Sequence, residues 1–198
     1  PDAWGAGVRG VEIPTIDCSL VTMTVGGDTP TELAIDTASK VAVEVLTEKT
    51  DAQKLIVKNQ LKAQRAEQVT VTGNKIVLTD NLFIPQVVLT LQGGTITKDP
   101  ETHEITGYTP PVTGSVDKGE IFELSCYSAI YNAAGICTGY EKITYPNCQG
   151  TPVSMGAEDN VFRVSEYTIV SMPDIGQAPY AITYVKTLPA VANYTPAP

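Results

Sequence analysis

The sequence predicts a mainly β protein, a sandwich or small barrel with at most one or two short helices. Three observations carry this. Apolar and polar residues alternate along most of the body, as in strands with one covered face. Val and Thr are abundant and Tyr (9) outnumbers Phe (3) and Trp (1), a usage that suits pleated sheets. Gly (16) and Pro (14) punctuate the chain at the short intervals expected of strand connections. At 198 residues the chain fits one domain with arms and is long enough to bury a core without disulfide or metal support.

Residues 1–20 carry Pro1, Gly5, Gly7, Gly10 and Pro14 with little periodicity, and read as an N-terminal arm. The β-domain is expected over 21–186. From Val41, VAVEVLTEK sets Val41, Val43 and Val45 on one side and Glu44 and Glu48 on the other. LIVKNQLKAQ sets Leu55, Val57, Leu61 and Ala63 opposite Lys58, Gln60, Lys62 and Gln64, a half-buried strand pattern. VTVTGNKIVLTD breaks at Gly73-Asn74, consistent with a bulge or turn. The breaks at Thr50-Asp51-Ala52 and Glu67-Gln68 make this region a meander or long hairpin. LFIPQVVLTLQGG reads two ways. Val87–Leu91 is β-branched enough for a strand, while Pro85 near the start and Gly93 past the end suit a short helix.

Residues 94–118 are turn-rich, with Thr95–Lys98 and Glu104–Tyr108 pairing as an exposed hairpin around Asp99-Pro100. IFELSCYSAIY and YEKITYP are strands joined across Asn132–Gly139, and VFRVSEYTIVS and PYAITYV are the late strands. The total comes to eight to ten. TLPAVANYTPAP, from Thr187, reads as an extended C-terminal tail over 187–198.

The net charge is −9, from 13 basic and 22 acidic residues with no basic run. Tight nucleic-acid binding needs Lys and Arg to displace counterions from phosphates, so a stable DNA site is not expected. No apolar run approaches the roughly 18 residues of a membrane span. No secretory leader is visible, although cleavage before Pro1 would remove one. Cys18, Cys126, Cys137 and Cys148 show neither C-x-x-C nor structural zinc spacing. They read as free thiols made in a reducing cytoplasm. Cys126 falls on the same side of its strand as Phe122, Leu124 and Ile130, as a small buried hydrophobe.

Catalytic constellations are missing from the sequence. The single histidine, His103, lies in a charged turn, and no G-x-S-x-G elbow or H-E-x-x-H exists. Glu158-Asp159 is the best carboxylate pair, but neighbours on a strand face opposite ways, and turn carboxylates capping backbone N–H groups explain it more simply. Gly26-Gly27-Asp28 and Gly93-Gly94 are turn signals without the G-K-[ST] of a phosphate loop. Tyr127 and Tyr131 share a strand face with Ile121 and Ala129. They form either a sugar-binding platform or, more simply, core or subunit packing. No catalytic residue, cofactor or metal ligand is assigned.

Three stretches resemble the tail tube (major tail) proteins of tailed bacteriophages, a family related to type VI secretion and contractile injection system tubes. Leu78–Gly94, LTDNLFIPQVVLTLQGG, is similar to a family pattern L-T-D-N-x-F-x-P-x-V-x-x-x-x-G-G. Phe122–Tyr140 resembles a strand–loop–strand with a G-x-x-T-G-Y turn. Ile143–Cys148, Gly150–Val153, Ala157–Asp159 and Glu166–Ile169 follow in family order. Together they cover about half of the chain. The resemblance implies a tail-tube-like β-sandwich/barrel with a helix over Pro85–Gln92 on its flank. It implies hexameric rings stacked head to tail into a tube that conducts DNA at ejection, without catalysis.

The implied partners are other copies of the chain, a tape-measure protein and passing DNA in the lumen, and a sheath in a contractile tail. No membrane and no specific nucleic-acid binding are implied. The location is the virion, after synthesis in the bacterial cytoplasm. An acidic lumen would let DNA slide, which makes Glu44, Glu48, Glu123 and Glu166 candidate lumen residues. Trp4, Val8, Asp51 and Tyr194 are candidate inter-ring contacts, and loss of residues 1–20 is expected to block tube formation in a protein that still folds. Two alternatives remain: a tube subunit of a phage-derived contractile particle, and a monomeric β-sandwich carbohydrate-binding or adhesion module.

Overall fold

The computed structural model describes residues 13–26, 30–116 and 119–194. It is mainly β with a single short helix among these residues. The strands are β1 (Thr15–Val25), β2 (Thr31–Ile35), β3 (Ala38–Thr50), β4 (Gln53–Val57), β5 (Gln60–Arg65), β6 (Gln68–Asp80), β7 (Thr95–Lys98), β8 (Ile105–Thr109), β9 (Phe122–Tyr131), β10 (Cys137–Gly150), β11 (Ser165–Ser171) and β12 (Ala181–Val185), with α1 at Pro85–Gln92. There are more strands than the sequence suggests: LIVKNQLKAQ folds back on itself as β4 and β5, and β1 and β2 precede the first run singled out, at Val41.

The large sheet has the order β2-β1-β9-β10-β11-β6-β3, with β12 pairing off β10, and every pairing is antiparallel. Its two outermost strands, β2 and β3, are joined by only Asp36 and Thr37. The sheet must therefore curl until its edges meet, and β3 does approach β1. The result is an open barrel whose inner face carries Val21, Met23, Ile35, Ile76, Leu78, Phe122, Leu124, Tyr167 and Ile169, all buried.

Helix α1 closes this core. Pro85 supplies a preset φ at its start. Gly93, at φ 78°, ends it by donating its N–H to the Leu89 carbonyl at 2.8 Å. Val87, Val88 and Leu91 point into the core. The close seat depends on Gly150: a Cβ there would lie 2.5 Å from the Leu91 Cα. Gln92 then ties the helix to its surroundings. Its amide donates to the Tyr108 hydroxyl at 2.8 Å and accepts the Val153 N–H at 2.7 Å.

Strand β10 changes partner midway. Its first half pairs with β12 and its last three residues with β11, while β9 runs along its other edge. The change falls at Pro146-Asn147, where the register with β9 slips between Tyr145 and Cys148 and Asn147 adopts φ 48°. Proline cannot donate to a ladder, so a bulge is where it fits. The freed carbonyls are used: Pro146 accepts the Ser171 hydroxyl at 2.6 Å and Asn147 accepts the Met172 N–H at 3.2 Å.

A second, smaller cluster lies on the opposite face of β1, β2 and β9. Leu20, Ala34 and Tyr127 are covered there by Tyr140, Val185, Leu188, Val191 and Tyr194. The segment after β12 is fastened by Asn193, whose side-chain amide accepts the Ala34 N–H and donates to the Ala34 carbonyl, both at 2.8 Å. Within the described residues, the stretch read as a tail is therefore packed as far as Tyr194. Likewise β1 begins at Thr15, so the last six residues of the stretch read as an arm are strand, with Leu20 fully buried.

Asp80, of the L-T-D-N run, serves the turn expected there. Its Oδ1 accepts the Thr37 hydroxyl and the Leu82 N–H. Its Oδ2 and the Tyr167 hydroxyl are buried without a partner among the described residues, and burial pushes the Tyr167 hydroxyl above its ordinary pKa. Cys126 is buried as expected. Burial raises its pKa strongly and also holds the Cys148 thiol up, at about 12.

Candidate assembly surfaces

The long hairpin β3–β6 leaves the barrel. It is paired from Ala38↔Asp80 to Thr50↔Gln68, with two slips: one between Ala38 and Lys40, at the barrel end, and one between Leu46 and Thr47 that leaves Thr72 as a bulge. This is the break that Gly73-Asn74 signals. Beyond it stands a second hairpin, β4–β5, which turns at Lys58-Asn59 with both residues in the left-handed region, φ 48° and 61°. LIVKNQLKAQ is thus two strands and a turn, not one half-buried strand. Every residue from Gln53 to Arg65 is exposed, including Leu55, Ile56, Val57 and Leu61. The alternation was real, but none of the described residues covers either face of this two-stranded ribbon. Asp51 sits exposed at the base of this tip, near the Lys49–Glu67 ion pair of 3.5 Å.

A second exposed apolar surface lies in the linker from β10 to β11. Thr151 and Val153 are held against the body through the Thr168 carbonyl and Gln92. From Ser154 onward the chain is exposed, and Phe162 is 97% accessible, with Val161, Val164 and Met155 also in the open. The linker and Ser165 line an open concavity of about 420 Å³. Arg163 lies over the Phe83 ring at 4.6 Å. Glu158 and Asp159 accept no hydrogen bond from the described residues and stand exposed, so the capping role expected for them is not what holds this turn.

Of the candidate lumen residues, Glu44, Glu123 and Glu166 lie on the face of the large sheet turned away from the core, alternating with buried neighbours on β9 and β11. Glu44 is opposite Lys75 in register, and Lys40 shares a row with Thr79 and Glu166. The face therefore carries interleaved charge. Glu48 follows four residues after Glu44, out on the protruding hairpin. Among the candidate inter-ring residues, Trp4 and Val8 lie outside the described residues, Asp51 is exposed, and Tyr194 is half-buried against its own subunit.

Tyr127 is buried, so it and Tyr131 do not form an exposed aromatic platform. His103, at φ 58°, completes a turn organised by Asp99, whose carboxylate accepts the N–H groups of Glu101 and Thr102 at 2.8 and 2.9 Å. These bonds hold the Asp99 pKa below its usual range.

The sequence missed the linker surface. Val161-Phe162 between Asp159-Asn160 and Arg163 looks like the start of a strand, and only the late beginning of β11 at Ser165 reveals it as exposed loop. The Lys58-Asn59 turn was also missed, for want of a Gly.

No protein-family model matches this chain, and no curated protein does. Two solved structures share aspects of its shape. The cap of the anti-feeding prophage (a tube-terminating cap) aligns over 92% of this chain and 99% of that one, at 12% identity and a TM-score of 0.43. The six-fold symmetrised anti-feeding prophage baseplate contributes a chain aligned over 87% of this one and 97% of its own length, at 10% identity and 0.34. At these scores neither likeness bears on function.

Proposed function

We propose that this chain is a structural subunit of a phage tail tube, assembling as hexameric rings that stack head to tail into a conduit for DNA, without catalysis or a cofactor. One observation carries the reading. An exposed, aliphatic-rich hairpin, β4–β5, extends from the barrel with every residue exposed among the described residues. Such a surface is costly to leave in water and marks an interaction site. Head-to-tail stacking of rings is a heterologous contact that does not close, so it produces filaments. The ordered resemblance of Leu78–Gly94, Phe122–Tyr140 and Ile143–Ile169 to tail tube proteins supplies the particular assembly. The same surfaces suit a tube subunit of a phage-derived contractile particle. The tape-measure protein, DNA in the lumen and a sheath are the partners this role brings, and the virion is its location.

Size-exclusion chromatography with negative-stain microscopy tests it. Rings or tubes are expected as concentration rises. A chain that stays monomeric at millimolar concentration, with and without salt, would refute the proposal.

A further inference from the structure

We infer that the β4–β5 tip of one copy seats in the concavity lined by residues 154–165 of the next, and that opposite charge sets this pairing. The inference rests on the assembly reading above and names the two surfaces that meet.

Position is the first argument. Strand β6 begins at the tip and ends at Asp80, which pairs with Ser165, the residue that closes the linker. Thirteen strand residues separate the two surfaces by about 40 Å. Tip and concavity therefore lie at opposite ends of the molecule, as a head-to-tail contact requires.

Charge is the second. Residues 53–65 hold four of the 13 basic residues, Lys54, Lys58, Lys62 and Arg65, and none of the 22 acidic ones. None of the four has a carboxylate partner among the described residues; the Lys62 ammonium donates instead to the Gln60 side chain at 2.7 Å. At the far end Glu158 and Asp159 stand free in the linker. Asp36 and Glu166 are exposed nearby, at the Ala38↔Asp80 and Ser165↔Asp80 end of the sheet. Arg163, the one base of the linker, is turned onto Phe83. Apolar surface matches as well: Leu55, Ile56 and Leu61 at the tip, Val161, Phe162 and Val164 around the concavity. Complementary charge fixes partner and register, and the apolar contact adds affinity.

Charge reversal at each surface tests the pairing. One full-length variant carries Lys54→Glu, Lys58→Glu, Lys62→Glu and Arg65→Glu; the other carries Glu158→Lys and Asp159→Lys. All six residues are exposed, so both variants should keep wild-type circular dichroism and melting. Each alone should need about tenfold or more protein to form filaments. An equimolar mixture should recover, because the acidic tip of the first fits the basic linker of the second, and the native tip of the second fits the native linker of the first. Wild-type filaments with both variants unaffected, or no recovery in the mixture, would overturn the pairing and leave the assembly reading standing. A wild-type chain that forms no filaments would sink both.

Discussion

Replacing Gly150 with Ala probes the joint that positions the helix. The new methyl would sit 2.5 Å from the Leu91 Cα and carbonyl oxygen and 2.6 Å from the Leu91 Cβ. Carbon atoms rest about 3.5–4.0 Å apart, so helix and strand must separate by about 1 Å. Neither side can yield by a rotamer change, because the atoms met are main chain or Cβ. The helix is also held by both bonds of Gln92. Overpacking of this kind costs about 3 kcal/mol, at the upper end of the usual range. A stiffer unfolded chain offsets up to about 1 kcal/mol of that. The net loss of about 2 kcal/mol should lower Tm by about 4–8 °C in a domain of this size.

Gly156→Ala, six residues away in the same segment, is the control. Nothing lies within 4 Å of its Cβ position, so its effect should stay within about 0.5 kcal/mol. Thermal melts followed by circular dichroism, at concentrations below assembly, make the comparison. If Gly150→Ala melts within 2 °C of wild type (about the scatter expected of a neutral change), the close seat of α1 on β10 is wrong.

Other outcomes follow from the same structure. Leu91→Ala should cost about 2–5 kcal/mol in a denaturant titration, since it empties the centre of the core. Asn193→Ala should cost about 1–2 kcal/mol and speed hydrogen exchange at Ala34, whose N–H would lose its partner. A thiol reagent should modify exposed Cys137 quickly, Cys18 more slowly, and buried Cys126 and Cys148 only on unfolding. Cys148 and Tyr145 are both held at about 12 by burial. Their folded pKa values exceed the unfolded ones, so the native state keeps protons that the unfolded state loses. Stability should be flat below about pH 8.5 and fall between there and pH 12. Removal of residues 1–12 should leave a folded protein and test the arm in filament assays, whereas removal of 1–20 deletes Thr15–Leu20 of β1 and should unfold the chain.

The notable agreements between sequence and structure are local in origin. Alternation located most strands, Asp99 marked its hairpin, and Gly73-Asn74 marked a bulge in the long hairpin. Pro85 and Gly93 left α1 open between helix and strand, and the resemblance to tail tube proteins decided it. Three elements misled. LIVKNQLKAQ alternates as a covered strand does, yet none of the described residues covers it. Val161-Phe162 carries strand residues but precedes the strand. The segment after Thr187 has the composition of a tail, yet Asn193 fastens it to β2 through two bonds no sequence pattern announces.

The Tyr140–Val170 stretch shows where the division falls. Alternation and turn residues along the chain marked its two strands and its turn-rich middle, and its one cysteine, Cys148, stands in no metal-ligand spacing. These depend on neighbours along the chain, which a sequence displays. Only the folded chain decided that Pro146-Asn147 switches β10 from one partner to another, that Gly150 lies under Leu91, and that Glu158, Asp159 and Phe162 face water at the end opposite the β4–β5 tip. Those depend on contacts between residues far apart in sequence, and on which surfaces the barrel covers and which it leaves bare.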